Sequence, residues 1–339
     1  MSFLRRCDFS SAQDLSDHAH SNKVMLRMKI VVVDHVFLEK EHLERLRSLG
    51  DLEVFDEPPE TLDELKRRTE AADVVVVGWT DLTREVISSS KKLKMISVWA
   101  TTCHYVDLKA AAEKGIVVTH VPGYATEAVA EHTFALLLAA TRRLLLADQH
   151  VRKGGFDWRP FGGVELQGKT LGVIGTGSIG CRVAEIARAF GMRVLAYDKY
   201  PNVKRAEQIG IQYVDLRTLL NGSDFMTIHV TLTSETEGLI GKKEMDDMKS
   251  GAVIINTSQG RIINEKALVD TLRSGRVSFA GLDVFSDEPP AKDNPLFKLD
   301  NTILSPHIGF HTVEAARRCT EICIDNVVKF LEGHTQNIC

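Results

Sequence analysis

The feature that most constrains the fold is a glycine-rich turn between a predicted strand and a predicted helix. The turn reads Gly175-Thr176-Gly177-Ser178-Ile179-Gly180; it follows the apolar run 169–174 and precedes residues 181–190, whose apolar positions have helical spacing. In this strand–turn–helix context the pattern G-x-G-x-x-G predicts a dinucleotide-binding unit, whereas the pattern alone is a weak signal. We expect Gly175 to permit the tight turn, Gly177 to let the backbone approach a pyrophosphate, and Gly180 to let the helix lie close to the strand.

An acidic residue after the next predicted strand indicates which dinucleotide this unit binds. Asp198 lies 18 residues beyond Gly180, where a carboxylate accepts a hydrogen bond from a ribose 2′-hydroxyl and repels a 2′-phosphate. The position therefore favours NAD over NADP. Lys199 beside it leaves some tolerance of NADP open, and an incidental acid after an ordinary glycine turn is the competing interpretation.

The rest of the chain predicts two α/β domains. Short apolar runs alternate with helical segments from residue 29 to 119 and again from 170 to 304, with Pro122-Gly123 between the two series. Strands that are apolar on both faces are typical of parallel sheets covered by helices, so the alternation predicts doubly wound sheets, with a ligand cleft between the domains. We predict one apolar helix over 125–151, buried in a core or at a subunit contact, and a last helix over 313–332 that crosses back to the first domain.

Composition argues against two classes of partner. The 42 Lys and Arg are outnumbered by 46 Asp and Glu, which gives a net charge of −4 and no dense basic run, so a nucleic-acid partner is not expected. The best apolar run, 134–140, is ended by Arg142 and Arg143, far short of the roughly 18 residues that a membrane span needs. We therefore expect no membrane partner either.

The cysteines and the first residues bear on the compartment. Six scattered cysteines without a CxxC pair predict free thiols in a reducing compartment, hence a cytoplasmic protein. Cys319 and Cys323 share a predicted helix, but no further ligands lie at metal-binding spacing, so no metal site is predicted. Residues 1–28 lack the apolar core of a signal peptide and contain acids that a transit peptide avoids, so we expect a disordered leader without chemistry.

Several further motifs occur in an order that identifies a family. They are Val106-Asp107-Leu108-Lys109-Ala110-Ala111, Lys114-Gly115-Ile116-Val117-Val118, Val129-Ala130-Glu131-His132-Thr133, Leu166-Gln167-Gly168-Lys169-Thr170, Leu282-Asp283-Val284-Phe285, Glu288-Pro289 and Ser305-Pro306-His307-Ile308-Gly309. From about residue 28 to 331 the chain resembles the D-isomer-specific 2-hydroxyacid dehydrogenases, which include glyoxylate/hydroxypyruvate reductases and D-3-phosphoglycerate dehydrogenases.

The resemblance implies a fold, a cofactor and a reaction. It implies a Rossmann NAD-binding domain over 122–310, inserted into a flavodoxin-like substrate domain formed by 29–121 and 311–335, usually in a homodimer. The expected chemistry is reversible hydride transfer between the nicotinamide of NAD and a small 2-keto or 2-hydroxy acid.

The resemblance also assigns site residues. His307 matches the family's acid/base, a role that suits an imidazole titrating near neutral pH, and Glu288 matches the carboxylate that orients it. Asp283 falls where the family contacts the nicotinamide side of the cofactor. Further cofactor contacts are expected at the turn residues and Asp198 named above and at Val230, Thr257 and Gly309. If the resemblance is set aside, the sequence indicates only a histidine in a loop at His307 and a surface turn at Glu288-Pro289.

The third catalytic position departs from the family. The motif N-x-S-R-G carries an arginine that holds the substrate carboxylate, but this chain has Asn256-Thr257-Ser258-Gln259-Gly260. Gln259 can donate a neutral hydrogen bond, but it carries no charge and cannot make the two parallel hydrogen bonds of an arginine. In other enzymes, loss of one electrostatic donor at the reacting group lowers the rate by about 10²–10³.

Several explanations of Gln259 stay open. In the first, Gln259 suits a substrate whose acidic group is absent or held elsewhere. In the second, Arg261 supplies the cation, although strand-like geometry would place it about 6–7 Å away. In the remaining two, the chain has lost turnover and binds NAD as a sensor or scaffold, or the glutamine is a deliberate replacement that traps a complex.

The substrate loops depart as well. The family places glycines before Val106, where backbone amides bind the substrate carboxylate, but here Thr101 and Thr102 occupy that loop, with Thr102 at a usual glycine position. The other loop, Gly78-Trp79-Thr80, carries a tryptophan that either packs as a wall or shapes a pocket for a larger, less polar side chain. The leading hypothesis is an NAD-dependent oxidoreductase acting on a 2-hydroxy or 2-keto acid; the alternative is a non-catalytic NAD-binding protein of the same fold.

Overall fold

The computed structural model describes residues 27–339, and the first strand begins at Met28. The expectation of a disordered leader therefore falls almost entirely outside the described residues. The strands are β1 (Met28–Val32), β2 (Gly50–Val54), β3 (Val74–Val77), β4 (Met95–Val98), β5 (Val117–Thr119), β6 (Thr170–Ile174), β7 (Arg193–Tyr197), β8 (Ile211–Tyr213), β9 (Phe225–Ile228), β10 (Ala252–Asn256), β11 (Val277–Leu282) and β12 (Thr302–Leu304).

The helices connect these strands throughout both parts of the chain. They are α1 (Lys40–Leu49), α2 (Leu62–Thr69), α3 (Arg84–Ser89), α4 (Leu108–Glu113), α5 (Thr126–Thr141), α6 (Leu144–Arg152), α7 (Ser178–Ala189), α8 (Val203–Ile209), α9 (Leu216–Gly222), α10 (Lys242–Asp247), α11 (Glu265–Arg273) and α12 (Val313–Leu331). No helix within residues 27–339 is both long and apolar enough to cross a membrane.

Two parallel sheets confirm the predicted fold class. The first has the order β2-β1-β3-β4-β5, which is the flavodoxin-like order. The second has the order β8-β7-β6-β9-β10-β11-β12, which is the Rossmann order extended by one strand. Strands such as β3 and β6 are buried along their whole length because helices cover both faces of each sheet.

The last helix returns to the first sheet. α12 packs against β4 and α1, and its Cys319, Cys323 and Val327 belong to the same apolar core as Val32 of β1 and Val74 of β3. The chain therefore leaves the first sheet after β5, builds the second sheet, and comes back.

The predicted helix over 125–151 is wrong as one continuous helix. α5 ends at Thr141 and α6 begins at Leu144, because Arg143 takes a left-handed φ of 50°. α5 is buried against β10, β11 and α7 of its own chain, whereas no residue of α6 is buried. The chain thus comes to the surface at the two arginines, and Leu146 keeps α6 packed against the core.

The prediction that all cysteines are free thiols is wrong for one pair. Cys103, in the loop after β4, and Cys339 form a disulfide, with their Cα atoms 6.5 Å apart. The amide of Cys339 also donates to the Val118 carbonyl at 3.0 Å, so residues near 339 run alongside β5. Cys181, Cys319 and Cys323 are free and buried.

Candidate active site

The glycine turn lies between β6 and α7, and its three glycines are needed for different reasons. Gly175 has a φ of 92°, and a Cβ there would lie 2.8 Å from the carbonyl oxygen of His229. A Cβ on Gly180 would overlap the Gly175 carbonyl oxygen, so α7 lies directly on the turn. A Cβ on Gly177 would meet no atom within 4 Å. Open space therefore faces the amino end of α7, whose free N–H groups suit an anion.

Asp198 follows β7 and closes one side of the turn. One carboxylate oxygen accepts hydrogen bonds from the amide and hydroxyl of Thr176 at 2.6 and 2.8 Å, and the other accepts from the Tyr200 amide at 2.8 Å. Lys199 is directed elsewhere: its ammonium group contacts Glu235 at 2.5 Å, and this hydrogen bond raises the pKa of Lys199. The acid at this corner is therefore not neutralised by the neighbouring lysine.

The neighbouring strands present further polar groups at the same edge. His229 and Val230 follow β9, and Thr257 and Ser258 follow β10. The Ser258 hydroxyl donates to the Val230 carbonyl at 2.5 Å, and the Thr257 hydroxyl lies 2.9 Å from that of Thr133. Burial lowers the pKa of His229 to about 3, so this imidazole is neutral at physiological pH.

His307 and Glu288 form a hydrogen-bonded pair. His307 Nδ1 lies 2.7 Å from Glu288 Oε2, and the other carboxylate oxygen of Glu288 accepts from the Phe285 amide at 3.0 Å. The hydrogen bond to Glu288 raises the pKa of His307 against the opposing effect of burial. Burial raises the pKa of Glu288, but the bonds from His307 and the Phe285 amide outweigh it and leave that pKa lowered. The pair favours an ionised carboxylate beside a protonated imidazole.

Asp283 lies beneath His307 and is 1% exposed. Its carboxylate accepts hydrogen bonds from the Ser305 hydroxyl at 2.5 Å and from the amides of Ile308 and Gly309 at 2.9 and 2.7 Å, while its own carbonyl accepts from the His307 amide. This residue therefore fixes the loop that carries His307, whose backbone has a left-handed φ of 55°. Burial raises the pKa of Asp283, but its donors, with His132 first among them, lower it overall.

Gln259 lies in the turn between β10 and a short helical segment, at the same sheet edge. Asn256 fixes the turn: its side chain donates to the Gln259 carbonyl at 2.9 Å and accepts from the Ser258 amide at 3.0 Å. Within residues 27–339 the side-chain amide of Gln259 makes no hydrogen bond. Arg261 does not replace the missing cation, since its guanidinium donates to the Ser286 carbonyl and lies 3.7 Å from Asp287.

The two predicted substrate loops are joined to each other. The Leu82 amide, just after the first loop, donates to the Tyr105 carbonyl of the second at 2.7 Å. In the first loop, the amides of Gly78, Trp79 and Thr80 all donate to the carboxylate of Asp34 at 2.7 Å. These three N–H groups are thus occupied by the protein itself, and only the Trp79 side chain is presented by that loop.

The second loop keeps its polar groups at the surface. Thr101 and Thr102 are exposed, and the Thr102 hydroxyl lies 2.6 Å from His104 Nδ1. Burial lowers the pKa of His104, and the positive charge of His307 acts in the same direction. Thr102 and His104 therefore form a hydrogen-bonded pair within this loop.

Sequence reasoning missed four residues of this region: Asp34, His104, His132 and Phe310. His132 Nε2 lies 3.0 Å from the Ser305 hydroxyl and 3.3 Å from Asp283, so it supports the loop of His307 from α5. Its place in the motif Val129-Ala130-Glu131-His132-Thr133 was the available signal. For Asp34 the signal was an acid directly after an apolar strand. Within residues 27–339 no group of three or more metal-ligating side chains occurs.

Comparison with known proteins relates this arrangement to one family. A sequence model described as D-isomer specific 2-hydroxyacid dehydrogenase, NAD binding domain, matches residues 134–309. The chain is 41% identical over 307 residues to a D-3-phosphoglycerate dehydrogenase of Archaeoglobus fulgidus, covering 90% of this chain and 58% of that protein. It is 39% identical over 283 residues to a glyoxylate reductase of Korarchaeum cryptofilum, covering 82% of this chain and 85% of that protein. The chain therefore spans little more than half the length of the phosphoglycerate dehydrogenase.

A solved structure extends the similarity over both sheets. An acyclic imino acid reductase in complex with NADPH and D-Arg superposes with a TM-score of 0.84 at 36% identity, covering 92% of this chain and 100% of that chain. The fold and the NAD-binding domain are thus shared with proteins that reduce more than one kind of double bond.

Proposed function

Because the chain belongs to the D-isomer specific 2-hydroxyacid dehydrogenase family, we propose that it interconverts a 2-hydroxy acid and the corresponding 2-oxo acid with NAD as its cofactor. The observation that carries the proposal is the 2.7 Å contact between His307 and Glu288, at the sheet edge that also bears the glycine turn. An acid/base pair and a dinucleotide-binding turn at the same edge are what this chemistry requires.

The residues around the turn fit the cofactor. Open space at Gly177 and the free amino end of α7 suit a pyrophosphate, and Asp198 suits an unphosphorylated ribose. We assign the remaining contacts to residues along the same edge: Gly175, Ser178, Ile179, Gly180, Val230, Thr257, Asp283 and Gly309. When bound, the nicotinamide supplies or accepts the hydride. For Asp283 we propose a contact through the loop it holds, since its carboxylate is already bonded to Ser305 and two amides.

We propose that His307 moves the proton of the reaction. In the reducing direction its protonated ring donates a proton to the substrate oxygen as negative charge develops there, and in the oxidising direction the neutral ring accepts that proton. Glu288 fixes the ring orientation and keeps the cation favourable. Asp283 holds the backbone that carries the ring, so the imidazole is already in position before the reaction begins.

We propose that substrate orientation is shared between Gln259 and the second substrate loop. Gln259 offers a neutral donor, and Thr101 and Thr102 offer exposed amides and hydroxyls to a carboxylate. Because Arg261 contacts Ser286 and Asp287, it is not part of this arrangement.

One observation favours a second candidate, the reduction of a 2-imino acid. A protonated imine carries its own positive charge, so it is already polarised and would be repelled by an arginine at position 259. The neutral Gln259 suits such a substrate, and the similar imino acid reductase supports it.

The Gln259→Arg variant separates the two candidates. With a 2-oxo acid as the natural substrate, we expect it to raise kcat/KM by about 10²–10³, because it restores a charged donor. With a 2-imino acid, generated from the oxo acid in ammonia or an amine, we expect the same change to lower kcat/KM. The His307→Gln variant controls for the shared proton transfer and should impair both reactions.

The general proposal is tested by following NADH consumption with a panel of 2-oxo acids. We expect turnover with at least one of them and a loss of about 10²–10⁴ in His307→Gln, the usual contribution of a general acid. If NADH binds but is not consumed with any oxo or imino acid at enzyme concentrations near those of the substrate, the chain is instead a non-catalytic NAD-binding protein. Failure to bind NADH would refute both.

We propose that the protein is a homodimer and acts in the cytoplasm. Apolar side chains on α6 and the segment after it are exposed, namely Leu144, Leu145, Val151, Phe156 and Trp158, and a second copy of the chain would cover them. The buried free cysteines Cys181, Cys319 and Cys323 are compatible with a reducing compartment.

A further inference from the structure

Trp79 is presented to the cleft by a loop whose backbone is fully engaged. The Asp34 carboxylate, itself 1% exposed, accepts from the amides of residues 78, 79 and 80, so the loop cannot bind an anionic group through its backbone. The indole of Trp79 remains 46% exposed. A large apolar side chain held on a rigid loop and left half exposed is suited to contact a ligand.

A series of aromatic rings leads from Trp79 to His307. The Trp79 ring lies 5.6 Å from Phe310, and Phe310 lies 6.1 Å from the His307 imidazole, measured between ring centroids. Tyr105 lies 6.4 Å from Trp79 on the other side, and its loop is held by the bond between its carbonyl and Leu82. Trp79, Tyr105 and Phe310 thus form an aromatic wall beside the proposed acid/base.

Several carboxylates lie around this wall. Burial raises the pKa of Tyr105, and the carboxylates of Asp81, Glu288 and Asp34 raise it further. Two of these carboxylates are fixed close to the wall: Asp34 accepts hydrogen bonds from the loop of Trp79, and Glu288 is bonded to His307. A second anionic group on the substrate would lose hydration against aromatic faces and would lie near these carboxylates, both of which disfavour it.

We infer that the site takes 2-oxo acids with a large uncharged side chain, aromatic or branched aliphatic, and that Trp79 is the residue that determines this specificity. The inference rests on the proposed function and adds the substrate class. The same surroundings disfavour phosphorylated and dicarboxylic 2-oxo acids. Contact with Trp79 and Phe310 favours a flat apolar group because it removes both surfaces from water.

The test compares kcat/KM for phenylpyruvate, pyruvate and 3-phosphohydroxypyruvate. We expect the wild type to prefer phenylpyruvate, and Trp79→Ala to lower the ratio of phenylpyruvate to pyruvate by about tenfold or more, the range found when one pocket contact is removed. Trp79→Phe should retain most of the preference. Leu62→Ala, which removes a similarly exposed (41%) apolar side chain from the start of α2, should leave the ratio unchanged.

A binding measurement keeps the inference testable if turnover fails. With NADH present, calorimetry compares oxanilate, which carries a phenyl ring, with oxamate, which lacks it. We expect Trp79→Ala to weaken oxanilate about tenfold and oxamate little. Absence of NADH consumption with every oxo and imino acid would refute the proposed function alone. A wild type that prefers pyruvate or 3-phosphohydroxypyruvate, or a Trp79→Ala variant with an unchanged oxanilate-to-oxamate ratio, would overturn this inference.

Discussion

His307 holds its proton through the balance of two opposing effects on the pKa of its imidazole. The hydrogen bond to Glu288 raises that pKa, and burial of the ring lowers it; the hydrogen bond is the larger effect. The ring is therefore protonated at pH values where an ordinary histidine has begun to lose its proton. In the proposed reduction this matters because only the protonated ring can donate a proton to the substrate.

The Glu288→Gln variant should move the pH dependence of the reaction toward lower pH. Reduction needs the protonated ring, so kcat/KM for reduction should fall as pH rises through the pKa of His307. Removing the carboxylate charge removes the largest cause of the raised pKa, so this fall should begin at lower pH in the variant. The measurement is the pH profile of kcat/KM for reduction by NADH.

The opposite direction supplies the control for this prediction. Oxidation needs the neutral ring, so its kcat/KM should rise with pH, and this rise should also move to lower pH in Glu288→Gln. An unchanged profile in both directions would mean that the titrating group is not His307.

Some residues of the candidate site could be proposed from the sequence, and others are apparent only from the structure. The sequence proposed His307, Glu288 and Gln259 as site residues because each occupies a recognisable motif position, and the structure brings His307 and Glu288 into contact. It did not identify Asp34, whose partners lie 44 to 46 residues further along the chain. Nor could it show that Arg261 turns toward Ser286 and Asp287, since that direction depends on packing around Gly260.

In the turn at 175–180, Gly180 and Gly177 are required for different reasons. Gly180 lies where α7 packs on the turn, and a Cβ there would overlap backbone. Gly177 has an ordinary φ of −65° and open space around its Cα. One glycine serves packing within the protein, and the other leaves room for what binds outside it.

Alanine at these two positions should therefore have different effects. We expect Gly180→Ala to lower the free energy of unfolding by about 1–3 kcal/mol, because overpacking displaces α7 from β6. We expect Gly177→Ala to unfold like the wild type and to bind NADH about tenfold more weakly, because its methyl group occupies the open space. Denaturant titration and NADH calorimetry measure the two quantities. Equal losses of stability in both variants, or normal NADH binding by Gly177→Ala, would contradict this division.

Elements were predicted well where the apolar pattern agreed with packing and poorly where it did not. The strands of both sheets stand out because they are apolar on both faces. The break between α5 and α6 was missed because Leu144 and Leu145 continue the apolar pattern although both side chains are exposed. The Cys103–Cys339 pair was missed because 236 residues separate the two cysteines, and no local pattern reports such a contact.

At the scale of the whole molecule, the order of the strands explains where the site forms. In the second sheet, β7 and β8 are added on one side of β6, and β9 and the later strands on the other. Ligands of open α/β sheets bind beyond the carboxyl ends of the strands at such a switch point. The glycine turn, His229 and the Gln259 turn all follow strands at this edge. Phe310 then carries the chain back to the first sheet, where it meets Trp79. The cleft is lined by residues from both sheets, as the alternation in the sequence predicts.

The apolar residues that the fold leaves exposed allow the proposed homodimer to be tested. The sequence suggested a core or a subunit contact for the apolar helix that includes α5, and most apolar residues of α5 are buried in the core of its own chain. Phe156 and Trp158 are 96% and 83% exposed in the segment after α6. Large aromatic side chains in such positions are costly to leave in water, and burying them in a symmetric contact removes that cost.

We therefore expect the double variant Phe156→Ser, Trp158→Ser to sediment as a monomer at concentrations where the wild type is a dimer. Both substitutions increase polarity outside the core, so the secondary structure seen by circular dichroism should be retained. Leu108→Ser, which changes another exposed apolar side chain (42%) at the start of α4, should remain a dimer. A wild type that sediments as a monomer would refute the homodimer, and a double variant that remains dimeric would place the contact elsewhere. If the dimer is needed only for stability, the monomeric variant should unfold at lower denaturant concentration while its kcat under native conditions stays close to that of the wild type.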